Sequence, residues 1–448
     1  MNDKKRHGVF KITPITPIHI SDGEKYQIFE YYIDDNKNFY LKDVMKFFQD
    51  NFEDYDTALK IIEDLSFRPG PEYIRYTLPV YADPEKAKKT TSVAQPKSPS
   101  ATPYLQTKQA KLDPEIAKIM KKAEKLQPQS QKKQEKTPSS PQPVHQPTEE
   151  VFSFIKDPFG QPFIPGSSLK GCIRTAITYH LLNEKYNVTK EPIQNLKDRI
   201  LVEVFEKYKK NREKKLQDVL LKYIIPNNDA KYDLFKSLVI RDSSPFVFIN
   251  SENKIYTLRD FSVCQIQIAK KTEYKGLEFQ GGIILAECLF TKNTIEIPFY
   301  IDNFTLEKLI EPNTTKSTIQ KLHSTLSNQN EFKNALLDFS NKLITSQENF
   351  YKSSGKTNPL QKEFEEARSK KEILLQLGFS TGYLSKTIAL VYPPETRAEI
   401  QRKLHLGIAE NYSEDNPFPR SRKLTTSPET PRTPTLPMGW FKLEIDWA

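Results

Sequence analysis

Long apolar runs, paired cysteines and catalytic dipeptides are all missing from this 448-residue chain, and each gap excludes a class of protein. No stretch approaches the roughly 18 consecutive apolar residues that a membrane-spanning helix needs. The opening Met1–Arg6 is polar and basic and runs into alternating Val9, Phe10 and Ile12 rather than the apolar core of a secretion signal. The expectation is a soluble, cytoplasmic protein that engages no membrane. Cysteine occurs three times, at Cys172, Cys264 and Cys288, widely spaced and without a C-x-x-C pair. That pattern argues against a zinc site and a disulfide framework, leaving three reduced, mostly buried thiols. Neither a Gly-Gly-Asp-Asp run nor a His-Asp dipeptide is present. The acidic pairs Asp34-Asp35 and Glu149-Glu150 fall in a turn and at a segment boundary, so no metal or other cofactor is expected.

Charge is present in excess, but its placement limits what it means. The chain carries a formal +10, yet the segment from Glu85 to Pro147 holds thirteen lysines against five acidic residues, a net of +8. Bulk charge therefore describes one segment, and any RNA groove on the folded part must rest on particular residues. That segment lies in a stretch, 83–148, rich in Pro, Ser, Gln and Lys and poor in large apolar residues, so it reads as a largely disordered insert. Within it, Asp113-Pro114 followed by Ile116, Ile119, Met120, Ala123 and Leu126 has the cap and spacing of one amphipathic helix. The rest divides into 1–82 as the first part of an N-terminal unit, 149–245 as its remainder with a helical insertion, and 246–448 as a C-terminal unit.

Gly8 to Ile20 alternates in hydrophobicity up to Pro14 and Pro17, as in a strand entering a structured loop. Ile28–Ile33 and Asn38–Leu41 flank a turn cluster and read as a hairpin, followed by helices over 43–49 and 57–64. After the insert come a short run at 151–155, the turn 157–160, and a helix beginning after Gly166. Long helical patterns cover 192–225. Strands are expected at 238–241, 246–249, 261–269 and 282–290, helices over 305–351 and 361–376, a proline-rich linker over 412–437, and a last strand over 439–447. Two α+β units are the simplest account.

The most specific segment runs from Phe163 to Ala176. Pro165-Gly166 makes a turn, and Ser167 or Ser168 can cap the following helix while other N-terminal amides meet a phosphate. Leu169, Cys172, Ile173 and Ala176 recur at helical spacing as a buried face, and Lys170 and Arg174 share a flank beside it. A solvated helix face is the plainer reading of these two cations. Gly166 and Gly171 have the spacing of a nucleotide-binding P-loop, but Cys172 and Ile173 stand where its Lys and Ser/Thr belong, which disfavours ATP.

This segment resembles the glycine-serine-lysine motif of the RAMP superfamily. Thr16-Pro17-Ile18-His19-Ile20, Asp22 to Tyr26 and Phe154 to Asp157 resemble the RAMP subunit that caps the crRNA 3′ end in the Csm-type, type III-A CRISPR effector. Leu377 to Thr387 resembles the family's glycine-rich loop, with Ser380 where another glycine commonly stands, and Met438 to Lys442 its closing strand. The resemblance implies tandem ferredoxin-like (RRM-like) units, and an antiviral-defence role in binding crRNA without catalysis, supporting assembly and 3′-end maturation. It implies as partners the backbone RAMP subunit, the small helical subunit and host ribonucleases that trim the guide. Candidate RNA-binding residues are His19, Gly166, Ser167, Ser168, Lys170, Arg174, Gly378, Gly382 and Lys386, with Tyr26 and Phe379 as further stacking candidates. Two rivals stand beside this: a metal-independent endoribonuclease centred on His19, and a target-cleaving backbone subunit using Glu149 or Glu150.

Overall fold

A computed structural model describes residues 5–51, 60–61, 64, 67–81, 150–188, 230–250, 256–272, 276–310, 317–404 and 418–448. The expected helices at 57–64, 113–126 and 192–225 lie wholly or largely outside them. By Cα packing the chain divides into one unit of 1–87 with 147–448 and a second of 88–146.

Along the first unit run β1 (Lys5–Pro14), β2 (Lys25–Tyr26), β3 (Tyr31–Ile33), β4 (Asn38–Lys42), α1 (Val44–Asn51), β5 (Ile74–Tyr81) and β6 (Val151–Phe152). Next come α2 (Gly166–Val188), β7 (Leu238–Ile240), β8 (Ile249–Asn250), β9 (Tyr256–Thr257), β10 (Phe261–Lys271), β11 (Leu277–Leu289) and β12 (Ile295–Asp302). Helices α3 (Asn303–Ile310), α4 (Ser317–Ser327), α5 (Gln329–Ser354) and α6 (Gln361–Lys370) follow. The remainder is β13 (Ile373–Gln376), α7 (Tyr383–Lys386), α8 (Pro394–Leu404), β14 (Ser421–Thr425), β15 (Leu436–Pro437) and β16 (Trp440–Trp447).

The architecture is α+β, as expected. One sheet has five strands in the order β13-β16-β1-β12-β7, antiparallel throughout. Without β13, the order β7-β12-β1-β16 is second-third-first-fourth, the ferredoxin-like order, with α2 and α5 as the two connecting helices. β1 sits at its centre because every second residue is apolar: Phe10 and Ile12 are buried, pairing with Ile297 and Ile295 on one side and Ile445 and Leu443 on the other. The Phe10 and Phe299 rings stack 3.9 Å apart and Phe332 of α5 closes over them. Tyr179 of α2 meets Phe339 of α5, so the two helices form one apolar layer on this sheet.

The second sheet has eleven strands built around the long β10–β11 hairpin, with its main path running β2-β6-β11-β10-β5-β4-β3. Both sheets mix strands from before and after residue 245: β1 joins β12 and β16, while β5 and β6 flank β10 and β11. The division drawn at 245/246 therefore does not separate the sheets, because the central strand of the first sheet comes from the N-terminus and its closing strand from the C-terminus. The hairpin of β3 and β4 forms with Tyr31 opposite Leu41. The expected helix over 361–376 is corrected to α6 followed by a strand: Lys371 takes a left-handed conformation (φ 53°) that ends the helix, and Ile373–Gln376 pairs with β16. β5, β12 and β14 form in addition to the expected strands.

Candidate RNA-binding face

The segment Ile15–Ile20 runs along the seam between the sheets. Ile15 and Thr16 donate to the Trp440 carbonyl of β16, Ile18 exchanges two hydrogen bonds with Leu289 of β11, and Gly439 donates to Pro17. The His19 carbonyl accepts from Phe379 N–H at 2.6 Å, which fastens the loop after β13 to the seam. Gly378 (φ 91°) is required there, since a Cβ would collide with that same carbonyl. Ser380 is itself left-handed (φ 67°), so the glycine-like path is kept at the position where a glycine was expected.

His19 does not face outward. Its ring is 0% exposed, Nδ1 lies 2.7 Å from the Glu287 carbonyl, and Phe152, Phe154 and Phe379 meet it edge-on. Burial lowers its pKa, so the ring is held neutral. The expectation that His19 meets RNA is thus corrected: a fully enclosed imidazole can neither stack on a base nor reach a ribose. Tyr26 likewise turns its hydroxyl inward, to Tyr76, Ser153 and Lys156. These groups surround Glu287, 1% exposed, whose carboxylate accepts from Tyr76, from Phe154 N–H at 2.9 Å and from Lys156 Nζ at 2.5 Å. Burial works against the Lys156 charge, but Glu287 and Tyr26 outweigh it and raise the lysine's pKa. The motif Phe154 to Asp157 therefore supplies an internal ion pair. Nothing in the sequence linked it to Glu287, 131 residues away. Glu150 is exposed and pairs with Lys25, while Glu149 lies outside the described residues.

Helix α2 begins at Gly166 as expected, but neither serine caps it. The carboxylate of Asp242, after β7, accepts from Gly166 N–H at 2.8 Å. A Cβ at Gly166 would strike the Ile240 and Arg241 carbonyls, so only glycine lets the helix start against that strand end. Leu169, Cys172, Ile173 and Ala176 are buried, as their spacing implies. Arg174 is committed to Asp233 at 2.9 Å and lies over the Phe235 ring, which removes it from the RNA-facing set in this arrangement. Lys170 is partly exposed, with its pKa lowered first by burial. Ser167 is exposed and Ser168 partly so.

The structure brings α2 and the glycine-rich loop together across some 200 residues of sequence. Cys172 Sγ contacts the Gln376 carbonyl at 3.4 Å, and α2 packs against α7, which follows Gly382 directly. Gly171 and Gly382 are both exposed, and an added Cβ at either would meet nothing within 4 Å. Lys386 is exposed beside Lys423, whose ammonium stands 4.6 Å over the Phe379 ring. Desolvation, then repulsion by Lys423, lowers the Lys386 pKa. Lys423 was not visible as a site residue, because it lies in a stretch that reads as linker. The meeting of α2 with the loop thus gathers open glycines and the ammonium groups of Lys386 and Lys423, while Lys170 stands on the flank of α2 that holds Arg174 and Asp233.

Comparisons with known proteins converge. Over 246 residues the chain is 28% identical to a "CRISPR system Cms protein Csm5" of Streptococcus thermophilus, covering 54% of each chain. It is 31% identical over 97 residues to the protein of the same name from Mycobacterium tuberculosis, covering 21% of this chain and 24% of that one. The chain thus spans about half the length, or less, of the curated relatives it matches. A chain in the cryo-EM structure of a Csm–crRNA–target RNA ternary complex of a type III-A CRISPR-Cas system superposes with a TM-score of 0.60 at 17% identity, over 98% of this chain and 100% of that one. The crystal structure of T. onnurineus Csm5 gives 0.53 at 16%, over 97% and 99%. At such identities the solved chains speak for the fold. The family model for the RAMP superfamily matches residues 11–381, most of the chain, and the protein belongs to that superfamily.

Proposed function

We propose that this protein is a crRNA-binding subunit that caps the 3′ end of the guide in a type III-A CRISPR complex, without a catalytic step of its own. The observation that carries the reading is the convergence of α2 with the Gly378–Lys386 loop on one basic, glycine-bearing surface. Exposed glycines let a phosphodiester backbone come close, and lysines neutralise phosphates without reading bases, which suits a guide of variable sequence. The names of its relatives and the Csm complex among similar structures support this assignment. The partners that follow are the backbone RAMP subunit and the small helical subunit, with host ribonucleases trimming the exposed guide end. Enclosure of His19 supports binding over metal-independent cleavage, since a general base must reach the 2′-hydroxyl.

The test is sequencing of guides copurified with the assembled complex, comparing wild type with Lys170→Gln/Lys386→Gln. Arg174 is left intact because of its pairing with Asp233. Loss of the subunit or altered guide 3′ ends is expected. Unchanged occupancy together with unchanged ends would overturn the assignment.

A further inference from the structure

A cavity of about 980 Å³ opens between α5, α7, α8 and the start of β14. Six cations line it: Lys271, Lys342, Lys352, Arg397, Arg420 and Arg422. Among the described residues no Asp or Glu does. Several of the six are built in rather than dangling. Arg422 donates to Gln347 Oε1 at 3.0 Å and to the Pro419 and Ser421 carbonyls, with its guanidinium 4.5 Å over the Phe350 ring. Burial pulls its pKa down to about 10. Arg397 is partly buried, its Nε lacks a hydrogen-bond partner among the described residues, and burial lowers its pKa too. Arg397 acts on the partly buried Arg422 as a like charge, a cost that an anion entering between them removes.

The rest of the lining restricts that anion. Phe350, Tyr392 and Phe418 offer rings, and Leu384, Leu390 and Val391 offer apolar floor. Phosphate-binding cations interleaved with aromatic platforms are what single-stranded nucleic acid uses, and the volume suits one or two nucleotides rather than a duplex. The cavity also adjoins the candidate RNA face. α7 gives Leu384 to the cavity and follows Gly382 directly, and its Tyr383 ring lies 5.2 Å from Phe418 at the cavity wall. β14 joins the two sites through strand alternation: Arg422 turns to Phe350 in the cavity, while the next residue, Lys423, turns to Phe379 by the glycine-rich loop.

Resting on the RNA-binding function proposed above, we infer that this cavity receives the terminal nucleotides of the guide after the strand passes Gly382, with phosphates on Lys342, Arg397 and Arg422 and bases against Phe350, Tyr392 and Phe418. The cavity then holds the strand's end, while the loop holds the backbone before it.

Two measurements on the full-length protein test this. Single-stranded oligouridylates carrying 4-thiouridine only at the 3′ terminus are photo-crosslinked to the wild-type chain, and the modified peptides are identified by mass spectrometry. Crosslinks at Phe350, Tyr392 or Phe418 are expected. Crosslinks mapping elsewhere on the chain overturn the inference, whatever any variant does. Fluorescence anisotropy with the same RNA then compares Lys342→Gln/Arg397→Gln with Lys170→Gln/Lys386→Gln. The cavity variant is expected to bind about tenfold more weakly, with a shallower salt dependence. Weakened binding by the Lys170/Lys386 variant alone leaves the RNA face standing and removes the cavity. If wild type does not bind the RNA at all, the RNA-binding reading falls and this inference with it.

Discussion

Glu287 holds together the buried polar cluster beside the seam. Its carboxylate is enclosed and takes hydrogen bonds from Tyr76, Phe154 and Lys156. Glu287→Gln leaves the Lys156 ammonium buried without its counterion, and the expected loss is about 3–5 kcal/mol, read by urea denaturation. Adding Lys156→Met to that variant should recover part of the loss, since no unpaired charge then remains. His19 beside it adds a pH dependence of definite sign. Its folded pKa lies below the unfolded value of 6.5, so the unfolded chain takes up a proton that the native state refuses. Stability from this group is complete above 6.5 and falls as pH drops toward the folded value. A wild-type thermal midpoint that declines from pH 7.5 to 5.5, with a smaller decline in His19→Phe, is the expected result. The motif around His19 was legible in sequence, but its role was not: the atom it bonds belongs to a residue 268 positions away, and local pattern carries no information about such a partner.

Among elements, legibility followed apolar spacing and failed at proline and at tertiary pairing. α2, α5, the β3–β4 hairpin and β16 carry clean periodicity or turn chemistry and form where expected. β5 and β12 alternate too, but each contains a proline, Pro79 and Pro298, which demotes a run read in isolation. In the sheet Pro298 loses nothing as an acceptor, its carbonyl taking Arg241 N–H at 2.9 Å. β14 is five residues in a proline-rich stretch, and pairing with β10 makes it a strand. That hidden strand carries Lys423, which is why part of the candidate face could not be found from sequence. The cap of α2 was misassigned to Ser167 or Ser168 for the same reason, since Asp242 arrives from after β7. Asp242→Ala should therefore lower stability by about 0.5–2 kcal/mol, whereas Ser167→Ala should change it by only a few tenths. In the glycine-rich loop, Ser380 holds a left-handed conformation that a glycine adopts without strain. Ser380→Gly is expected to stabilise the protein by up to about 1 kcal/mol in the same denaturation assay.

At the scale of the whole chain, the sheet fixes what the lysine-rich insert has to span. β5 ends at Tyr81 opposite Cys264 of β10, Cys264 is opposite Ala286 of β11, and Ala286 is opposite Phe152 of β6. Tyr81 and Phe152 thus lie in one row across four neighbouring strands, about 14 Å apart at roughly 4.8 Å per strand. An extended chain covers that with about five residues, so a Gly/Ser linker of about eight can replace 83–148 without pulling on either strand. The replaced protein should melt within a degree or two of the parent, because both strand ends keep their partners. Its net charge falls from +10 to +3, since the segment it loses, with Asp83 included, carries most of the excess. The salt dependence of RNA binding then separates the insert from the folded face. If Lys170, Lys386 and Lys423 of the folded part carry the phosphates, the slope of log affinity against log salt stays that of the parent. If the insert's lysines take part, the slope becomes shallower by about 0.7 for each phosphate that the insert had neutralised.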